Sequence, residues 1–562
     1  MHRYEMLLLQ AVNAVCISSS LYIKVIVVYF LRWLPLGPRF IPRINTGIFI
    51  YLTSFGLLTQ VSLFPRKRPV VTFTTRLRQI LLGSYTPNSL TTNILAILIN
   101  ALFFLASLDF VHRGEVLHQS PSLSFSRIGF VDESSARITI RSPEAPFVQI
   151  TYRSINTTKW ETGPVIHAPE NDDHVATFSL ENLQADTTYT YITNASHTGT
   201  FQTPSQHPEQ WSMLSSSCMS PFFPYNPLSH ALHLPGLEHL SSYISPLPPP
   251  QKPQFMLFLG DFIYIDLPIR FGTSIAHYFS AYRKIYASPS WTESLKSLPW
   301  IHAYDDHEIT NDYAGNENDG NSNSRTKSED ENSKDIDMYN SALPPWTAYQ
   351  ADANPPPYNS SPNTNYYTFT RGSVAFFVLD TRRFRSPPDH PDGPLKSILG
   401  PTQLAAVLSW LETETKLKVL VSSVPFTRNW RGPESSDSWA GYLFERQILL
   451  ESMWKTEGVV IISGDRHEHA TTRFPCPAPC RTNSTVIEFS TSPLSQFYQP
   501  FERQYRQIED TDIMIHSHAH GVSKFGVFNF NTRDEKFWRV GFGLVVDGVM
   551  AWEYEWTAQR NL

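Results

Sequence analysis

Three apolar stretches in the first 115 residues constrain this chain more than any other feature of its sequence. They run roughly from Met6 to Leu31, Thr46 to Phe64 and Thr91 to Leu108, each near the roughly 20 residues that cross a bilayer. The third, NILAILINALFFLASL, has no charge, whereas the first carries Lys24 and a polar CISSS patch, which leaves a signal-anchor or an interfacial helix as alternatives there. A cleaved signal peptide is not expected, because no small-residue cleavage site follows a short apolar core. Arg66, Lys67, Arg68, Arg76 and Arg78 follow the second stretch and Arg3 precedes the first, against Arg32, Arg39 and Arg43 between the two. That bias predicts a cytoplasmic N-terminus and, with three crossings, a C-terminal part on the extracytoplasmic or lumenal side of an integral membrane protein. Asn-x-Ser/Thr triplets at Asn156, Asn194, Asn359 and Asn483 all lie beyond the third stretch and agree with export.

The remaining sequence divides in two. From 116 to 204 short alternating runs such as ARITIRS, VQITYRS and TYTYIT, broken by Pro, Asn and Asp turns, predict a fibronectin III or immunoglobulin-like β-sandwich. From 205 to 562 apolar runs end in charge, as in FMLFLGD, VAFFVLDTRR and VVIISGDRHEHA, and alternate with helical patterns such as PTQLAAVLSWLETETK and AGYLFERQILLESMWKTEG. Such alternation predicts an α/β domain whose ligands bind beyond the carboxyl ends of its strands. Gly315 to Asp337 is so polar that it reads as a surface insertion. With 45 Lys and Arg against 51 Asp and Glu, the net charge of -6 gives no reason to expect a nucleic-acid scaffold. Four cysteines exclude a disulfide framework, although Cys476 and Cys480 can close a small loop, leaving Cys16 and Cys218 as thiols.

Four motifs carry the chemistry. In GDFIYID, Asp261 ends a strand and Tyr264 follows; a carboxylate can bridge two cations and a phenolate suits a hard trivalent iron. AYDDHEITNDY packs Asp305, Asp306, His307, Glu308, Asn311 and Asp312 behind an apolar run with Trp300 and Ile301, where adjacent acids call for a cation. In FVLDTRRFRS, Asp380 precedes Arg382, Arg383 and Arg385, and a guanidinium fork matches phosphate oxygens. In IISGDRHEHATT, Asp465, His467 and His469 alternate after a strand and can converge on one metal. Cys218, in LSSSCMSPF, is either a further ligand or an inert buried thiol.

The order GD-x-x-Y, DDHE with ND, LDTR and GD-x-H resembles the alkaline phosphatase D family, which is similar to purple acid phosphatases and other calcineurin-like phosphoesterases. The match covers about residues 120 to 562 and implies a metallophosphoesterase αββα sandwich behind the β domain. Carried over residue by residue, it implies that Asp261 bridges two metals, that Cys218, Tyr264 and His467 bind Fe3+, and that Asp465 with Asp306 or Asn311 binds the second cation. Asp380 holds a calcium by the same resemblance. DDHE stands where purple acid phosphatases have GNHE, and VSSVPFTRN lacks a histidine that those relatives carry.

The expected function is a membrane-anchored phosphoesterase in which a metal-activated hydroxide attacks phosphorus, His307 protonates the leaving oxygen, and Arg382 and Arg466 hold the phosphate. The substrate is a small-molecule, lipid or glycopolymer phosphoester. A catalytically silent relative that binds a ligand or partner at the membrane is the alternative.

Overall fold

The computed structural model of the chain describes residues 2–61, 72–87, 89–315, 329–360, 364–432, 435–477, 485–499, 504–507 and 511–560. They fall into two units, Met1–His118 with Phe222–Ala231 and Leu267–Arg270, and the remainder of the chain.

The first unit holds four helices, α1 (His2–Arg32), α2 (Gly37–Val61), α3 (Phe73–Leu82) and α4 (Leu90–Leu117). α1 and α4 run parallel at an offset of 80 residues: Ser20 Oγ donates to Asn100 Oδ1 at 3.1 Å, and the Phe30 and Phe110 ring centres lie 5.4 Å apart. α2 returns antiparallel to α1, with Phe40 against Phe30 at one end and a Cβ at Gly47 only 3.1 Å from Ile23 further along. Among the described residues two helical spans, Met6–Arg32 and Leu90–Leu117, are long and apolar enough to cross a membrane, and only 28% of the α4 window is buried. The sequence reading missed α3, FTTRLRQILL, because its cations and threonines dilute its apolar residues. Lys24 Nζ donates to Ser20 Oγ (2.6 Å) and to the Leu81 carbonyl (2.9 Å), so the cation that interrupts α1 satisfies the C-terminal end of α3. Arg76 and Arg78 lie on α3, while the cations at 66–68 fall outside the described residues.

The second unit opens with seven strands, β1 (Phe125–Val131), β2 (Ala136–Arg141), β3 (Phe147–Ser154), β4 (Glu161–His167), β5 (Val175–Leu180), β6 (Thr188–Thr193) and β7 (Thr198–Gln202). They form antiparallel sheets β1-β2-β5 and β4-β3-β6-β7 over one core that includes Ile138, Ile150, Phe178 and Tyr191. Asn156 and Asn194 are exposed here, as is Asn359 further on, whereas Asn483 lies outside the described residues.

Thirteen more strands follow: β8 (Gln210–Ser216), β9 (Met256–Phe258), β10 (Trp300–His302), β11 (Tyr367–Arg371), β12 (Val374–Val378), β13 (Leu417–Val421), β14 (Val459–Ser463), β15 (His469–Pro475), β16 (Thr485–Thr491), β17 (Ile513–His518), β18 (Lys524–Asn531), β19 (Phe537–Val546) and β20 (Val549–Gln559). Two mixed sheets result, β10-β9-β8-β18-β19-β20 and β11-β12-β13-β14-β16-β15-β17. Met213, Leu257 and Phe542 from the first share a core with Phe376, Val419 and Val460 from the second, so the sheets pack face to face. Outside the first lie helices Pro235–Ile244, Ile275–Tyr286 and Glu329–Tyr349; outside the second lie Gly400–Thr413 and Leu443–Trp454. The order is therefore helix, sheet, sheet, helix. Both helical patterns read from the sequence in this part occur, at Gly400–Thr413 and Leu443–Trp454.

The expected insertion needs correction at its C-terminal end. Residues 316–328 lie outside the described residues, but Glu329–Asp337 is already helical, because Tyr339, Ala342, Trp346 and Tyr349 place one buried stripe on the same helix. Cys16 and Cys218 are buried free thiols and Cys476 is disulfide-bonded; Cys480 lies outside the described residues.

Strand β14 is buried throughout and leads into the last motif. Ile462→Ala, at 1% exposure, should destabilise this unit by about 3 kcal/mol, read as a lower thermal unfolding midpoint followed by far-ultraviolet circular dichroism.

Candidate metal centre

Parallel pairing of β8, β9 and β10, and of β12, β13 and β14, brings the carboxyl ends of these strands to one rim. Cys218 follows β8, Asp261 follows β9, Asp305 to Glu308 follow β10, Asp380 follows β12, and Asp465 and His467 follow β14. Four of these residues turn sharply: Cys218, Asp261, Asp465 and His467 have φ of 63°, 56°, 75° and 57°. Left-handed backbone at non-glycine residues is uncommon and collects at functional sites. The glycines of both GD motifs permit the close approach, since a Cβ at Gly260 would sit 2.6 Å from Asp305 Cβ and one at Gly464 2.4 Å from Ser217 Oγ.

Three donor sets among the described residues share Asp261, the third of them made with Asp306 and His307. In the first, ligand atoms of Cys218, Asp261 and His467 lie within 4.8 Å of one another. Tyr264 joins them, its hydroxyl donating to Asp261 Oδ2 at 2.8 Å and lying 3.1 Å from His467 Nε2. In the second, Asp261, Asp305, Asp306 and Asp465 meet the same limit. Asp465 Oδ2 is buried without a hydrogen-bond partner, and Asp306 Oδ1 is too, although Arg382 Nη2 is 3.3 Å away. Burial pushes the Asp261 and Asp465 carboxyls well above the usual range, and does the same to the Cys218 thiol and the Tyr264 phenol. Groups so placed ionise when a cation neutralises them. The orphaned oxygens and the donor chemistry fit two metals: thiolate, phenolate and imidazole on one side of Asp261, carboxylates alone on the other.

Glu308 frames this centre. Its Oε2 accepts the backbone N–H of Asp261 (2.9 Å) and Asp305 (2.7 Å), and Oε1 accepts that of Phe262 (2.5 Å). Burial lifts its carboxyl to about 8 against the pull of those N–H groups. His307 Nδ1 lies 2.7 Å from Asp266 Oδ1, and its ring packs on Tyr264 at 4.1 Å between centres. Burial opposes a charged imidazole there, but Asp266, Asp306 and Asp261 prevail and hold its pKa well above the ordinary value.

Three expected assignments change. Arg382 is fully buried and points its fork at acids, with Nε and Nη2 on Asp305 and Nη1 on Asp437 at 2.8 and 2.9 Å, so it holds carboxylates where a phosphate contact was expected. Asp380 is outside the donor clusters found among the described residues; its Oδ1 accepts the Tyr304 hydroxyl (2.8 Å) and the N–H groups of Arg382 and Arg383, which caps a turn. Asn311 is exposed, and its N–H donates to Asp266 Oδ2 at 2.7 Å. Of the alternatives for the second cation, Asp306 is in the cluster. Arg466 is half-buried beside Asp465, with Nη2 donating to Gln504 Oε1 at 3.0 Å.

Residues that the sequence reading passed over complete the site. Asp266 ends the quoted GDFIYID motif, five positions beyond Asp261, and that spacing was the available signal. Ser217 Oγ, 3.0 Å from the Cys218 thiol, also accepts the Asp465 N–H (2.9 Å), and Ser492 Oγ accepts the His467 N–H (2.7 Å). Lys524 Nζ, wholly buried, donates to the carbonyls of His467 (3.2 Å) and Gly521 (2.7 Å). No local motif marks Ser492, Lys524 or Asp437.

A family model described as PhoD-like phosphatase matches residues 241–539, more than half of the chain. The chain belongs to the PhoD-like phosphatase family. Alkaline phosphatase D of Bacillus subtilis (strain 168) is 27% identical to this PhoD-like chain over an alignment of 256 residues that covers 39% of this chain and 42% of that protein. The chain thus spans under half the length of the curated relative it matches. Its fold is similar to that of the solved PhoD structure, with a TM-score of 0.58 at 16% identity over 78% of this chain and 90% of that one. It is also similar to the purple acid phosphatase PPD1 from yellow lupin (Lupinus luteus) seeds, with a TM-score of 0.51 at 12% identity over 77% and 74%.

The raised Asp465 carboxyl gives a linkage test. A group whose folded pKa exceeds its unfolded value adds stability below about pH 4, and that contribution is lost as pH rises through the folded value. Asp465→Asn should therefore raise the unfolding midpoint of chelator-treated protein at neutral pH while reducing metal uptake measured by elemental analysis. A lower midpoint would contradict the assignment.

Proposed function

We propose that this PhoD-like protein is a membrane-anchored, metal-dependent phosphoesterase that hydrolyses phosphate monoesters or diesters. The observation that carries this reading is Asp261, shared by the Cys218/His467 donor set and the Asp306/Asp465 set. Cys218, Tyr264 and His467 would hold Fe3+, Asp306 and Asp465 would hold Ca2+, and Asp261 would serve both. Bound there, such ions supply Lewis acidity and lower the pKa of water to where it is a nucleophile near neutral pH.

The chain's own groups supply the rest. Asp266 holds a proton on His307 Nδ1, and His307 lies in one donor set with Asp261 and Asp306, so the hydrogen on its other nitrogen is the one it can deliver to the leaving oxygen. Arg466, beside Asp465, takes the phosphate role that Arg382 is too buried to fill. Arg382 instead keeps Asp305 oriented, which leaves Asp306 and Asp465 facing the second cation.

Membrane anchoring draws support from packing as well as composition. α1 and α4 are parallel, so if both cross a bilayer the chain must return between them, and antiparallel α2 supplies that crossing despite its weaker hydropathy. Leu98, Leu102 and Leu105 on α4 are exposed, a continuous apolar surface that lipid covers and water does not. With three crossings, the cation bias supports an extracytoplasmic or lumenal side for the second unit. Within that unit the β domain is fibronectin III-like: its strand order fits, and Tyr189, at the start of β6, accepts the Gln184 N–H at 2.8 Å in the manner of a tyrosine corner.

Purified full-length protein should hydrolyse an aryl phosphate or diaryl phosphate, and Asp261→Asn and His467→Ala should each lower kcat at least ~100-fold while the circular dichroism spectrum persists. Absence of both metal and turnover in the unaltered protein would overturn the reading. His307 acts while protonated, so kcat should fall as pH rises through its raised pKa. Asp266→Asn removes the main carboxylate that raises it, and the alkaline limb of the kcat profile should move to lower pH; an unmoved limb would take the acid role from His307.

A further inference from the structure

Two loops of the metal centre continue directly into the helical unit. Phe222–Ala231, which begins four residues after Cys218 and so at most ~14 Å of chain beyond it, belongs to that unit, as does Leu267–Arg270, which begins immediately after Asp266. Both segments end on the same rim of the helices. Tyr225 N–H donates to the Leu31 carbonyl (3.0 Å), and Arg32 Nη1 donates to the Tyr225 carbonyl (3.2 Å), at the last turn of α1. The Tyr225 hydroxyl donates to Asp109 Oδ2 (2.9 Å), and Arg113, forked on Asp109, donates to the carbonyls of Pro227 and Ser229, each at 3.2 Å. The Gly37 N–H, at the start of α2, donates to the Pro268 carbonyl at 2.8 Å.

The chemistry of that rim is that of a bilayer surface. Arg32 ends the first apolar span and Arg113 lies in the last turns of the second, Leu90–Leu117, and Tyr29 packs on Trp33 at 5.6 Å, an aromatic and cationic collar of the kind that settles among lipid headgroups. Between the anchored Tyr225 and Ser229, Leu228 projects from the first loop at 93% exposure. A large apolar side chain held out by a polar, tightly tied loop is matched by an acyl-chain boundary.

We propose that the phosphoester taken by this site is borne by a lipid of the bilayer in which the helices sit. The inference rests on the phosphoesterase reading and on the helices crossing a membrane. The chain runs from Cys218 and from Asp266 within a few residues into segments tied to the helix ends, so a substrate confined to the same bilayer is supplied to a tethered site at a high effective concentration, whereas a soluble ester must be captured from bulk water.

The test uses the full chain reconstituted in phosphatidylcholine vesicles. Two matched pairs of aryl phosphates serve as probes, one pair of monoesters and one of diesters, each with a long-chain member embedded in the vesicle and a short-chain member in solution. For the ester type that is turned over, kcat/KM should favour the embedded member on the order of 100-fold, and a ratio near one or below overturns the proposal. Failure of all four probes, soluble members included, would instead indict the phosphoesterase reading. Leu228→Asp should lower turnover of the embedded ester about tenfold or more and leave the soluble ester unchanged; equal effects on both would overturn the link between this loop and the bilayer.

Discussion

Arg382 is wholly buried among acids, and the candidate metal centre takes its shape from that one guanidinium. Asp261, Asp305, Asp306, Glu308 and Asp437 are each no more than 4% exposed. Like charges at that depth repel strongly, and each loses hydration that only a fixed partner can replace. Arg382 spans Asp305 and Asp437 and reaches Asp306, and Arg385 shares Asp437, so the acids are held apart in a fixed order. Burial pushes the Asp305 carboxyl up, whereas Asp306 is drawn down to about 2 because Arg382 and His307 outweigh its burial. The charge left over lies in the donor sets around Asp261.

Much of this candidate site is legible in the sequence because its donor side chains follow apolar strands directly. Asp261, Asp306, Asp465 and His467 each end such a run, and the parallel sheets bring those ends together. Arg382 was read as a phosphate ligand from its place after Asp380, since a linear pattern cannot show that Asp305 and Asp437, 77 and 55 positions away, would surround it. Asp380 looked the same as Asp261 in sequence, yet one carboxylate folds back onto its own turn and the other faces a cluster. Lys524 lies on a strand whose pattern is ordinary, and its closeness to His467 arises only from the packing of one sheet on the other.

The helical unit shows the complementary limit. Apolar content alone marks the later part of α2 as well, yet only α1 and α4 are long and apolar enough to cross a membrane among the described helices, since Pro42, Arg39 and Arg43 weigh on the first turns of α2. Direction of packing carries information that apolar content does not. The polar groups inside this bundle are tied to one another, as Ser20 to Asn100 and Lys24 to Leu81, which is the condition under which such groups persist away from water.

The left-handed backbone at Cys218, Asp261, Asp465 and His467 also bears on how such a site can change over generations. Asp, Asn and His adopt that conformation far more readily than β-branched or bulky residues do. Most substitutions at these positions would therefore disturb the loop as well as remove a donor, and a lineage that no longer needed the chemistry would have few routes to drift gradually away from it. Asp→Asn is the exception at Asp261 and Asp465, since it keeps the turn while removing the charge.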